Sequence, residues 1–366
     1  MMSTLIYRTA ACGLRDGLRT PRALSKVGFW KRVMSVTAVA VAVLGSAGHA
    51  MGAPEVTDIT VYSSLDMQAP VQLITALRQG YFKQVGLNVT PKWYQAASDV
   101  PAGMLGGSIV LAHGGMVNPL IVADQGFPVK VISMVADYQR SSQIVVSKAI
   151  ANLSPADLAG KTLVATDVPA MRLFWQNWTA ANKIDPKSIR WLNTAPSDGV
   201  VAFNSGRADM LLSWAPHTTN AVEAGGVLWQ DGLYSYRSGK AVESPVYNNW
   251  GVLFGSADWI RKYPNTVNAY LSALYMAQAY LECNPEEVAK LMATENRVNL
   301  KQATAMMKLN TYQVVMSKQF LGEVQNWTDF FQKSGILKRS LATRDLVDPS
   351  LMEAVAKTTA VPACKK

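Results

Sequence analysis

Few of the residues from which catalytic centres are built occur in this chain. Its 366 residues include three cysteines and three histidines, and only 16% are charged. No HExxH, GxSxG or CxxC spacing is present, and no GxGxxG joins a strand-like run to a helical one. The common zinc-hydrolase, serine-hydrolase, thiol-redox and dinucleotide-binding readings therefore fail. Ala159-Gly160-Lys161-Thr162 resembles the end of a phosphate-binding loop, but Pro155 stands where that loop needs glycine. The Gly-Lys pair also precedes a strand, whereas a P-loop follows one. No apolar run approaches the roughly 20 residues that span a bilayer. The chain is nonetheless 49% apolar, which excludes wholesale disorder and leaves material for about two domains.

A formal net charge of +10 invites a nucleic-acid or membrane-surface partner. Its distribution argues otherwise. Residues 1–50 hold Arg8, Arg15, Arg19, Arg22, Lys26, Lys31 and Arg32 against the single acid Asp16, which accounts for +6 and leaves +4 for the rest. The apolar run Val33–Leu44 and the small residues Gly45-Ser46-Ala47-Gly48-His49-Ala50 follow. That order is expected of a secretory signal peptide over 1–50, cleaved after Ala50 or Ala53. No cysteine follows the apolar run, so no lipid attachment is expected, and a Gram-negative periplasm is the expected compartment. Beyond the leader the basic residues are scattered, as at Lys338-Arg339, without interleaved stacking aromatics, so nucleic acid is not an expected partner. Two cysteines remain, Cys283 and Cys364. In an oxidising compartment they either pair, tying the C-terminal tail to a helical region, or stay as free thiols.

From Val56 onward, short β-branched runs alternate with helical patterns. Asp58–Ser64, Leu87–Gln95, Ser108–His113 and Val129–Ala136 read as strands, with Pro91 marking the second as an edge. The rhythm restarts with Gln143–Lys148, Lys161–Asp167, Ile189–Asn193 and Ala208–Trp214, and Trp250–Phe254 follows. From Ala257 the pattern is almost entirely helical. Short connections in a β-α-β-α order predict parallel α/β sheets, in two units with a helical tail.

Several segments together resemble the substrate-binding proteins of ABC importers in the nitrate/sulfonate/taurine group, which includes binders of thiamine-pyrimidine precursors. They are Gly80–Val89 (GYFKQVGLNV), Gly115–Leu120 followed by Gly126–Val131, Asp157–Lys161 (DLAGK), and Phe203–Asp209 followed by Trp214-Ala215-Pro216. They occur in family order across residues 56–260. The resemblance implies an α/β, two-lobed periplasmic-binding-protein fold of type II with a helical C-terminal region. Lobe I would comprise 56–140 plus 249–366, and lobe II 145–246. It also implies a monomeric, non-enzymatic solute receptor without a cofactor, which closes about a hinge and serves a permease and an ATPase encoded elsewhere. Eukaryotic pyrimidine-synthesising enzymes share the fold, but they resemble one another in a cysteine-rich motif that has no counterpart here before Cys283.

In open α/β sheets, ligands sit beyond the C-terminal ends of strands. Those ends supply the candidate ligand residues: Ser63, Ser64, Leu65, His113, Gly114, Gly115, Tyr138, Arg140, Thr166, Asp167, Val168, Trp214, His217, Asn249 and Trp250. Each has a structural alternative. Ser63-Ser64 and Asp167 are helix caps in the other reading, Gly114-Gly115 a tight turn, and His113 and Trp250 core residues. An Asp167 facing the cleft would repel a bare anion unless Arg140 or Arg172 offset it by pairing with a ligand carboxylate or sulfonate. The expected ligand is therefore a small organic anion with an apolar or aromatic body, with a pyrimidine as the main rival. A ligand-sensing partner of a membrane receptor is a further reading that the sequence does not separate from transport.

Overall fold

The computed structural model describes residues 52–94, 99–361 and Cys364, and the leader expected over 1–50 lies outside them. The chain first lays down β1 (Asp58–Ser63), β2 (Asn88–Trp93), β3 (Leu111–Gly115) and β4 (Val129–Asp137). It then crosses to a second sheet with β5 (Ser142–Val146), β6 (Thr162–Ala165), β7 (Arg190–Asn193), β8 (Met210–Trp214) and β9 (Val227–Asp231), followed by the short β10 (Tyr234–Ser235) and β11 (Val242–Glu243). It returns with β12 (Trp250–Ser256) and completes the first sheet with β13 (Thr311–Val315). The sheet orders are β13-β4-β12-β3-β1-β2 and β11-β10-β9-β5-β8-β6-β7. Pro91 lies in β2, at an edge, where its missing N–H removes no ladder bond.

The sheets are mixed, not parallel throughout. β12 runs antiparallel to β3 and β4, and β5 runs antiparallel to β8 and β9. The crossovers explain this. β5 begins a few residues after β4 ends, so it leaves the crossover region while β6, β8 and their parallel neighbours run toward it. β12 likewise starts at the return crossover, with Trp250 opposite Asp137 at the end of β4. The C-terminal ends of β1–β4 and of β6–β9 are thereby gathered around the two crossing segments.

The C-terminal region is not wholly helical. β13 interrupts it and pairs with β4, joining Thr311 to Asp137 and Val315 to Met134. Otherwise that region is built of helices, the longest being Pro264–Cys283 and Lys318–Lys333. Among the described residues no helix is long and apolar enough to cross a membrane.

Aromatic packing links the two sheets. Tyr247, in the return crossover, lies 5.2 Å from Phe174 of the Pro169–Ala181 helix and 6.3 Å from Trp327 of the Lys318–Lys333 helix, between ring centroids. Trp250 follows, 5.6 Å from Trp327 and 5.5 Å from Phe320. Ring pairs of this kind contribute about 0.5–1.5 kcal/mol each beyond the area they bury. Cys283, at the end of the Pro264–Cys283 helix, is bonded to Cys364 with a Cα–Cα distance of 5.0 Å.

Candidate functional site

The strand ends of the first sheet are polar, with Asp137 closing β4 and Asp66 just beyond β1. Ser63 closes β1, fully buried, and its Oγ has no hydrogen-bond partner among the described residues. The loop behind it turns on Asp66, whose Oδ1 accepts from the Gln68 amide at 2.7 Å. Burial raises the Asp66 pKa, against hydrogen bonds from Ser64 and the Gln68 and Ala69 amides. Leu65 between them is exposed. Tyr94, just past β2, donates from its hydroxyl to the His113 carbonyl at 3.1 Å.

The glycines at the end of β3 make room for side chains. A Cβ on Gly115 would stand 3.1 Å from the Tyr138 hydroxyl, and one on Gly114 only 2.6 Å from Asn118 Nδ2. Opposite, Gly251 pairs with Gly115, and a Cβ there would meet the Tyr138 ring at 2.8 Å. The buried Tyr138 ring therefore packs against a bare backbone, and burial holds its hydroxyl neutral by raising the pKa well above the usual value. Asn249 donates nothing from its carbonyl but accepts there from the Tyr138 amide at 3.1 Å; its Oδ1 and that of Asn248 are buried without a partner.

Two candidates from this half belong to the core. His113 is fully buried and its Nε2 meets the Tyr270 hydroxyl at 2.7 Å. Burial lowers its pKa to about 4, so the ring is neutral, and its Nδ1 is buried without a hydrogen-bond partner among the described residues. Trp250 is buried among Phe320 and Trp327, so its indole packs the core instead of walling a cleft.

In the second sheet, Thr166, Thr194 and Ser213 stand at the ends of β6, β7 and β8, each with a buried hydroxyl that has no partner, and Thr218 nearby shares that state. Asp167 is neither helix cap nor free carboxylate. The cap of the Pro169–Ala181 helix is Val168, and Asp167 grips Arg172 through two bonds of 2.6 and 2.8 Å. That grip lowers the Asp167 pKa, chiefly through the Arg172 hydrogen bonds. Arg172 in turn stacks 3.9 Å over Trp191. Arg140 is committed as well: its Nε donates to the fully buried Asp231 at 3.2 Å, and Nη2 donates to the Tyr236 hydroxyl at 3.3 Å. Trp214 is half-buried, with the His217 ring edge-on at 6.0 Å across the cis Ala215-Pro216 bond. Burial lowers the His217 pKa, so this ring is neutral near pH 7.

The structure thus gathers Ser63, Ser64, Gly115, Tyr138 and Asn249 at one set of strand ends, and Thr166, Trp214 and His217 at the other. Tyr94 and Ser213 were not among the expected residues. The strand-end rule that selected Ser63 applies equally to Tyr94, since it directly follows Trp93 at the end of β2. No group of histidine, cysteine and acid residues suited to a metal ion occurs among the described residues. A cavity of about 280 Å³ lies elsewhere, between Phe127–Lys130 and Arg339–Leu346.

Solved structures share this architecture. The alkanesulfonate-binding protein SsuA from Xanthomonas axonopodis pv. citri, bound to MOPS, superposes with a TM-score of 0.65, with 18% identity over 80% of this chain and 99% of its own. The periplasmic nitrate-binding protein NrtA from Synechocystis PCC 6803 gives 0.64, with 17% identity over 84% of this chain and 90% of its own. The desulfurization enzyme DSZB gives 0.57, with 14% identity over 82% and 99%. At such identities the likeness establishes the fold, the α/β two-lobed periplasmic-binding-protein architecture with a helical C-terminal region. No protein of curated function matches the sequence. The profile described as NMT1/THI5 like matches residues 70–288, well over half of the chain, and the protein therefore belongs to the NMT1/THI5-like family.

Proposed function

We propose that this chain is the solute-binding component of an ABC importer in the periplasm, exported by a cleaved leader and acting as a monomer. It takes a small organic molecule between lobe I (56–140 plus 249–366) and lobe II (145–246) and closes on it without making or breaking a bond. One observation carries this reading. Buried hydroxyl and amide oxygens without protein partners (Ser63, Asn249, Thr166, Ser213) stand at the strand ends of both sheets, beside the crossovers about which the lobes would turn. Each such atom costs about 1–3 kcal/mol when left unpaired, so together they favour a polar ligand that engages both lobes. A ligand that binds the closed state better than the open one shifts the population in proportion to that preference.

The ligand on this reading is a sulfonate or carboxylate with an apolar or aromatic body. Trp214 supplies a flat wall, and hydroxyl and amide donors hold the head group. A pyrimidine is the second reading, favoured by the commitment of Arg140 and Arg172 to Asp231 and Asp167, which leaves neither guanidinium to meet an anion. Thermal-shift measurements with alkanesulfonates, aromatic carboxylates, nitrate and aminopyrimidines decide between them. A rise with sulfonates or carboxylates supports the first reading, and a rise with pyrimidines alone replaces it with the second. Turnover of any of these compounds by the purified protein would overturn the non-enzymatic assignment.

A further inference from the structure

We infer that Asn310 is a positioning residue that ties the first ligand loop of lobe I to the hinge. Its side-chain amide stands where three separate parts of the chain meet. Nδ2 donates to the Met67 carbonyl at 2.9 Å and to the Met306 carbonyl at 3.1 Å. Oδ1 accepts from the Ser141 hydroxyl at 2.8 Å. Met67 lies in the loop that follows Ser63 and Ser64, whereas Ser141 lies in the crossover between β4 and β5. The Ser141 carbonyl then accepts from the Ala215 amide at 3.1 Å, between Trp214 and His217 of lobe II.

A continuous path therefore runs from the lobe I loop, through one amide group, to the crossover and on to the lobe II loop. Ser141 is fully buried, so its hydroxyl depends on Asn310 for a partner. Tyr312 doubles the anchor at Met67, donating from its hydroxyl to the same carbonyl. The position also suits an amide. Two hydrogens must be donated and one accepted from separate atoms, whereas an ionised carboxylate donates none, a hydroxyl has a single hydrogen, and an apolar side chain offers neither. Both loops carry proposed ligand residues, so this link sets their mutual register while the lobes move. The purpose of the link rests on the solute-receptor reading, but its test uses the chain without ligand, so either can fail alone.

The test is hydrogen–deuterium exchange on the full chain and three variants. Asn310→Ala cuts both halves of the link and should speed exchange at least fivefold in 64–70 and in 213–217, with β12 (250–256) at the parent rate. Asn310→Asp keeps the oxygen that accepts from Ser141 and loses the donor to Met67. It should speed 64–70 and leave 213–217 unchanged. Ser141→Ala should do the reverse, which keeps the inference testable if Asn310→Ala does not fold. Equal acceleration of all segments, or no response of 213–217 to either alanine variant, would reduce Asn310 to ordinary packing and overturn the inference.

Discussion

Gly232 lies against both crossing segments, and a single methyl group there should push them apart. A Cβ at this position would stand 2.3 Å from the Gln139 carbonyl oxygen and 2.7 Å from that of Tyr247. Both obstacles are backbone, one from each crossover, so neither can rotate away as a side chain would. The Gly232 carbonyl also accepts from the Val246 amide at 2.9 Å and the Tyr247 amide at 3.2 Å, so displacing it strains bonds to the return crossover. Overpacking of this kind costs about 1–3 kcal/mol, and rigid backbone on both sides places Gly232→Ala at the upper end, about 3 kcal/mol. At about 2.1 cal/mol/K per residue over roughly 310 residues, each kcal/mol moves the thermal midpoint by about 1.5 °C, so a fall of roughly 4–5 °C is expected. Scanning calorimetry of parent and variant measures it directly. A midpoint within about 2 °C of the parent would refute the reasoning, because it would mean that the crossovers yield freely at this point.

Other perturbations separate the remaining contributions. Reducing Cys283–Cys364 opens a sequence separation of 81, worth about 4.5 kcal/mol in the chain-entropy model; a reductant or Cys364→Ser should lower the midpoint by roughly 7 °C, and an unchanged midpoint would contradict the link. His113 titrates near 4 when folded against 6.5 in the unfolded chain, so its contribution is intact above pH 6.5 and lost as pH falls toward 4. The loss is about 3 kcal/mol, and His113→Gln should flatten that part of the urea-midpoint profile relative to the parent. Asp167 and Arg172 are both about two-fifths exposed, so Asp167→Asn should change stability by no more than about 1 kcal/mol. The same change frees the guanidinium and should raise affinity for a sulfonate in isothermal titration; unchanged affinity would place Arg172 away from the ligand.

Much of the architecture is legible in the sequence because strand ends and helix starts leave local marks. Pro91 marks an edge strand, Pro169 stands at the first turn of its helix, β-branched runs locate β1 and β4, and a short apolar run locates β8. The mixed direction of the sheets is not legible, since nothing within Ser142–Val146 or Trp250–Ser256 states which way the chain runs after a crossover. β13 is hidden for a different reason: its five residues lie between long helical patterns, and it becomes a strand by pairing with β4. At the site, strand-end positions are readable, but which way a side chain is engaged is not. His113 is claimed by Tyr270, 157 residues away, and Arg140 by Asp231, 91 residues away. Only the folded chain brings those partners into reach, and they decide whether a polar residue at a strand end is free for a ligand.

The central claim is that the two lobes close on a solute. Small-angle scattering of the leader-free protein, with and without whichever compound raises its thermal midpoint, tests that claim most directly. Ligand should shrink the radius of gyration as the lobes come together, with no chemical change in the recovered compound. A stabilising ligand that leaves the scattering curve unchanged, or that is recovered chemically altered, would contradict the account.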